Sequence, residues 1–181
     1  MRAGSPSIFV RFSGCNETCL FETHGFDCDT EFVSGVKKTL PELIEQIKEI
    51  AGPCRWVVLT GGEPGLQVDP PLLEALHAEG FRIAIETNGS IELPEGIDWI
   101  TVSPKVAEHA IRQRKANEVK YVRSFGQGIP KTSVDAEFKL VSPAFQGQHL
   151  EPRTLEWCIE LVKQNPEWRL TLQMHKLWKV R

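Results

Sequence analysis

At 181 residues with 41% hydrophobic side chains, the chain has the length of one domain and enough apolar material for one core. A formal net charge of −3 with no basic run excludes nucleic acid and a membrane surface as partners the composition would favour. No apolar stretch approaches the roughly 18 residues of a membrane span, and the opening Met1 to Phe12 lacks a cleavage-type small-residue site, so a cytoplasmic protein is expected. Five cysteines, an odd number with no export signal, point to reduced thiols rather than a disulfide framework.

In chain order, the β-rich run Ser7 to Phe12 opens onto a loop carrying Cys15, Cys19 and Cys28 at C-x3-C-x8-C. Thiolate is the soft ligand that iron-sulfur clusters and zinc require. His24 is the local candidate for a fourth ligand; without it, a set of three leaves one metal position open, as catalysis needs. Leu40, Leu43, Ile44, Ile47 and Ile50 repeat at helical spacing behind Thr39 as a cap and Pro41 in the first turn. The strand Trp56 to Thr60 runs into Gly61-Gly62-Glu63-Pro64, which taken alone also reads as a tight strand-to-helix connection. A helix over Pro71 to Glu79 precedes the strand Arg82 to Glu86, closed by Glu86-Thr87-Asn88-Gly89. Trp99 to Ser103 is closed by Ser103-Pro104-Lys105, again ordinary turn chemistry by itself. Glu118 to Val122 leads to a long loop, Arg123 to Asp135, placed to cover a site. Ala136 to Val141, a helix over Thr154 to Gln164 holding Cys158 as a buried inert thiol, and Trp168 to Gln173 complete the series.

Strands alternating with helices predict an α/β fold with a largely parallel sheet and right-handed crossovers. About three helices for about seven strands are too few for an eightfold barrel and suit an abbreviated, open, partial TIM-like barrel. One such domain is expected over residues 1–181. The polar motifs cluster where the parallel strands end, the edge on which such folds place ligands.

Cys15-x3-Cys19-x8-Cys28, Gly61-Gly62-Glu63-Pro64 and Glu86-Thr87-Asn88-Gly89, in that order, resemble the radical S-adenosylmethionine (SAM) superfamily. More narrowly, Phe9-Val10-Arg11-Phe12-Ser13-Gly14-Cys15-Asn16, Cys28-Asp29-Thr30, Val102-Ser103-Pro104-Lys105 and Leu172-Gln173-Met174-His175-Lys176 resemble the 7-carboxy-7-deazaguanine synthases, over Ala3 to Arg181. The resemblance implies a carbon-nitrogen lyase of queuosine-precursor biosynthesis. It would convert 6-carboxy-5,6,7,8-tetrahydropterin to 7-carboxy-7-deazaguanine with loss of ammonia, via a 5'-deoxyadenosyl radical. The implied cofactors are a 4Fe-4S cluster, SAM and Mg2+, and the implied partners are an electron donor such as flavodoxin or ferredoxin and a second copy in a homodimer.

Carried over residue by residue, the resemblance assigns Cys15, Cys19 and Cys28 to the cluster and Thr30 to Mg2+. To SAM it assigns Asp27, Asp29, Gly61, Gly62, Glu63, Glu86, Ser103, Pro104, Lys105 and the Ser142-Pro143-Ala144-Phe145 segment, whose contacts are expected from the backbone. The glycines would let the backbone approach the SAM ammonium. To the pterin it assigns Arg11, Thr60, His175 and the Arg181 carboxylate; taken alone, Arg11 could equally be a rim ion pair and His175 structural. Two departures stand out: the second cysteine gap is x8 where the superfamily has x2, and the chain begins at Met1-Arg2-Ala3-Gly4, past the family's Gln-Gly-Glu-Gly segment of the pterin pocket. Two other readings use part of the same pattern: another radical SAM enzyme, such as a glycyl-radical activase, or a non-catalytic metal-binding module.

Overall fold

The computed structural model describes residues 4–28 and 33–178. Its strands are β1 (Ile8–Phe12), β2 (Trp56–Gly61), β3 (Arg82–Thr87), β4 (Trp99–Val102), β5 (Lys115–Arg123), β6 (Asp135–Pro143) and β7 (Trp168–Leu170). They form one sheet in sequential order with every neighbouring pair parallel. The sheet is open, with β1 and β7 as its edges among the described residues, in agreement with the partial barrel expected from the sequence. The α-helices are α1 (Phe21–His24), α2 (Leu40–Ala51), α3 (Pro70–Ala78), α4 (Pro152–Gln164) and α5 (Met174–Trp178). No described helix is long and apolar enough to cross a membrane.

Local chemistry starts α2 and α3. The Thr39 N–H donates to Glu42 Oε2 at 2.7 Å ahead of α2, and the Asp69 carboxylate accepts the Leu72 N–H at 3.1 Å ahead of α3. Ile44, Ile47 and Ala51 of α2 and Leu72, Leu73 and Leu76 of α3 pack with Val57, Leu59, Ile83 and Ile85 in one core. A second core joins Cys158 and Leu161 of α4 to Val119, Tyr121, Val141 and Trp168. Successive strand residues face opposite sides, so the other face of the sheet carries the strands' polar residues together with the buried Val58, Ala84 and Leu140.

Two elements differ from expectation. The strand expected over Trp168 to Gln173 stops at Leu170, and the chain turns into α5. The last ladder bond is Thr171 N–H to the Val141 carbonyl at 2.9 Å. The next β6 residue facing β7 is Pro143, which has no N–H to continue the ladder. The single turn of α1, inside the cysteine loop, was also not legible as a helix.

Candidate active site

Because all strands are parallel, the loops after β1 to β7 share one edge. The first two are bolted together. Gly62 N–H donates to the Phe12 carbonyl and Glu63 N–H to the Gly14 carbonyl, both at 2.9 Å. A Cβ on Gly61 would overlap the Phe12 backbone, and one on Gly62 the Gly14 carbonyl. The space these glycines leave is thus filled by the backbone of the cysteine loop, which adds to the sequence reading of them a purpose internal to the protein.

Glu63 is fully buried, at 0% exposure. Its Oε1 accepts the Thr87 hydroxyl at 2.7 Å and the Gly65 N–H at 2.8 Å, and Oε2 accepts the Asn88 N–H at 2.6 Å. Asn88 Nδ2 donates in turn to Asn16 Oδ1 at 3.0 Å, and Asn16 Nδ2 to the Ser90 hydroxyl at 2.8 Å. Cys15 therefore sits between two residues, Gly14 and Asn16, that are tied to the turns after β2 and β3.

Cys15 and Cys19 are half-buried and Cys28 is exposed. The Cys28 N–H donates to the Cys19 carbonyl at 3.1 Å, closing the long gap between the second and third cysteines. Burial pushes the Cys15 and Cys19 thiols above their ordinary range, and the Lys105 ammonium opposes this at Cys19. Among the described residues no three His, Cys, Asp or Glu side chains converge to hold a single ion. A cubane cluster takes one thiolate per iron at separate corners, and a donor set of three thiols within one another's field suits it. His24 does not supply a fourth ligand: both ring nitrogens are engaged, Nδ1 with Leu20 and Thr23 and Nε2 with the Lys105 carbonyl.

Across the sheet, Arg11 is level with Thr60, Glu86 with Thr101, and Thr101 with Glu118. This row lies on the side opposite the helix-facing core. Glu86 pairs with Lys120 at 2.9 Å. The Lys120 ammonium holds the Glu86 carboxyl below the usual range, against the opposing effect of burial, with His175 and Lys105 adding to it. Glu86, Lys105 and His175, each expected at the site, are thus brought into one electrostatic cluster. Lys120 was missed by sequence reasoning; the available signal was its alternation with the core residues Val119 and Tyr121 on β5. The Arg11 guanidinium lies 5.7 Å from the Phe9 ring. Ser103 is joined to β3 through its N–H to the Thr87 carbonyl at 2.8 Å, and its hydroxyl accepts from Lys105 at 3.2 Å.

Ser142, Pro143, Ala144 and Phe145 are all buried. Ala144 and Phe145 line a cavity of about 110 Å³ with Phe21, Phe26 and Phe125, an aromatic slot between the cysteine loop and the ends of β5 and β6. Lys176 on α5, beside His175, donates to the Gly147 carbonyl at 2.8 Å and lies over the Phe145 ring at 5.0 Å. The Asp27 carboxylate accepts the first N–H of α1, from Phe21, at 2.9 Å. The loop after β5 covers this edge as expected, Ser124 and Gln127 bonding to Gly25 and His24. Asp29, Thr30 and Arg181 lie outside the described residues.

An open parallel partial barrel with a three-cysteine loop locked to a GGEP turn at its strand ends is the architecture of the radical SAM class. The crystal structure of QueE from Escherichia coli has this fold, with a TM-score of 0.69 at 24% identity, covering 94% of this chain and 86% of that one. No protein-family model matches the chain. It is 40% identical to the 7-carboxy-7-deazaguanine synthase of Burkholderia multivorans, over 96% of this chain and 89% of that protein. It is 38% identical to those of Bradyrhizobium diazoefficiens (99% and 91%) and Bacteroides thetaiotaomicron (98% and 90%). The chain belongs to the 7-carboxy-7-deazaguanine synthase family.

Proposed function

We propose that the chain converts 6-carboxy-5,6,7,8-tetrahydropterin to 7-carboxy-7-deazaguanine as one radical SAM domain over residues 1–181. The observation that carries the reading is the bolting of the cysteine loop to the Gly61-Gly62-Glu63-Pro64 turn, beside the Glu86–Lys120 pair. The cluster, when bound, supplies the electron that cleaves SAM. Cys15, Cys19 and Cys28 would hold it, and the backbone of the Gly61-Gly62 turn would meet the SAM ammonium. Glu86 takes the ribose hydroxyls, with Lys120 keeping it ionised. The aromatic slot of Phe21, Phe26, Phe125 and Phe145 takes the flat adenine and excludes water from it. Ser103 to Lys105 complete the wall.

On the substrate side, Arg11 and Thr60 sit level on adjacent strands, which suits a forked guanidinium contact to the pterin or its carboxylate. His175 approaches from α5. Thr30 would supply one oxygen to Mg2+, whose charge would neutralise the substrate carboxylate. The enzyme works in the cytoplasm as a homodimer, reduced by a flavodoxin or ferredoxin. The test is anaerobic purification and cluster reconstitution, then assay with the carboxytetrahydropterin, SAM, Mg2+ and dithionite. Deazaguanine product with SAM-dependent turnover is expected. A colourless protein with stoichiometric zinc, or SAM cleavage that no pterin stimulates, overturns the reading.

A further inference from the structure

The eight residues between Cys19 and Cys28 do more than lengthen a loop. A carbonyl only accepts, so the 3.1 Å contact between His24 Nε2 and the Lys105 oxygen places the ring proton on Nε2. Nδ1 is then the acceptor, and it receives the Thr23 hydroxyl at 2.7 Å and the Leu20 N–H at 3.4 Å. The His24 carbonyl accepts from Gln127 Nε2 at 3.1 Å, and the Gly25 carbonyl from the Ser124 hydroxyl. Gly25 turns left-handed at φ 79°, and a Cβ there would press on the Gln127 amide. The Phe26 ring lies 4.8 Å from the Lys105 ammonium. Three consecutive residues of the loop thus grip two separate walls, the turn after β4 and the connection after β5.

We propose that the span from Leu20 to Asp27 is a latch fixing the cysteine loop to the far wall of the SAM pocket, with His24 as its positioning residue. The proposal rests on the SAM site assigned above. The latch sets Phe21 and Phe26 against Phe125 and Phe145, and it holds the Lys105 backbone while the ammonium faces the cysteine loop. Loosening it would widen the slot without removing a cluster ligand.

The test is SAM binding by the anaerobically reconstituted enzyme, followed as the change in the EPR spectrum of the reduced cluster when SAM is titrated; neither pterin nor turnover is needed. His24→Ala is expected to keep wild-type iron content and raise the apparent Kd for SAM about tenfold, the worth of roughly one hydrogen bond. His24→Gln, whose Nε2 reaches toward the same carbonyl, is expected to return it to within about twofold of wild type. Gln127→Ala, acting from the other wall, is expected to raise it about threefold. An unchanged Kd in His24→Ala, or a Gln variant no better than Ala, overturns the latch. Should His24→Ala fail to load iron, the Kd of Gln127→Ala decides: raised supports the latch, unchanged overturns it. No spectral response to SAM in the wild-type protein brings down the SAM site and the latch together, whereas a wild-type response with indifferent variants brings down the latch alone.

Discussion

The carboxylate of Glu63 receives the backbone N–H of Asn88 at 2.6 Å from a position with no solvent exposure. With Thr87 and Gly65 also donating to it, every partner of this acid is a donor. Glutamine cannot replace it, because either orientation of the amide sets an NH2 against an N–H. Glu63→Gln is expected to lose about 1–3 kcal/mol of stability and to load less iron, since Cys15 is held through the same turn. Thermal unfolding and iron analysis check both. A wild-type Tm in this variant would mean that the carboxylate does not organise the site.

Iron should follow the cysteine loop alone. Cys15→Ala, Cys19→Ala and Cys28→Ala are each expected to lose the cluster, while Cys54→Ala and Cys158→Ala keep it. Cys158 is fully buried in the second core, and burial pushes its thiol up to about 11, so it is neither a ready ligand nor an easy target for alkylation. Iron content after anaerobic reconstitution decides, and wild-type iron in Cys19→Ala would refute the ligand assignment.

The Glu86–Lys120 pair carries a pH signature. The folded Glu86 pKa is depressed, so its contribution is fully present above the unfolded carboxylate value and is lost as pH falls through the folded one. Glu86 is 45% exposed, so screening limits the contribution to about 1 kcal/mol or less. Glu86→Gln should be less stable than wild type by that amount at pH 7, and the gap should close as the pH falls below the ordinary carboxylate range. Denaturant titrations over a descending pH series measure it. A difference that persists at low pH would assign the loss to packing rather than charge.

Magnesium should act on the substrate and not on the cluster. Thr30→Ala is expected to keep its iron and its SAM affinity but to lose most of the stimulation by Mg2+, because one hard oxygen of the metal's shell is removed. Initial rates across a magnesium titration provide the check; an unchanged dependence removes Thr30 from the metal site.

Sequence alone determined the seven strands, their largely parallel pairing and the edge on which the site lies, because burial leaves a two-residue or helical period that the residues display directly. It likewise marked Cys15, Cys19, Cys28, Gly61 to Pro64, Glu86 and Lys105 as neighbours-to-be, since each lies at the end of a strand or on the loop that follows one. Tertiary structure alone decided what these residues face. The space at Gly61 and Gly62 is taken by the backbone of the loop after β1, and Glu63 turns inward to Thr87 and Asn88, because those donors arrive from β3 at that level. The single turns α1 and α5 are too short to carry a period, and helices of that length form only when something docks them. His24 on Lys105 and Lys176 on Gly147 supply that docking. Lys120 escaped notice because a lysine on a strand reads as solvated until the sheet brings the Glu86 carboxylate, two strands away on β3, within reach of it.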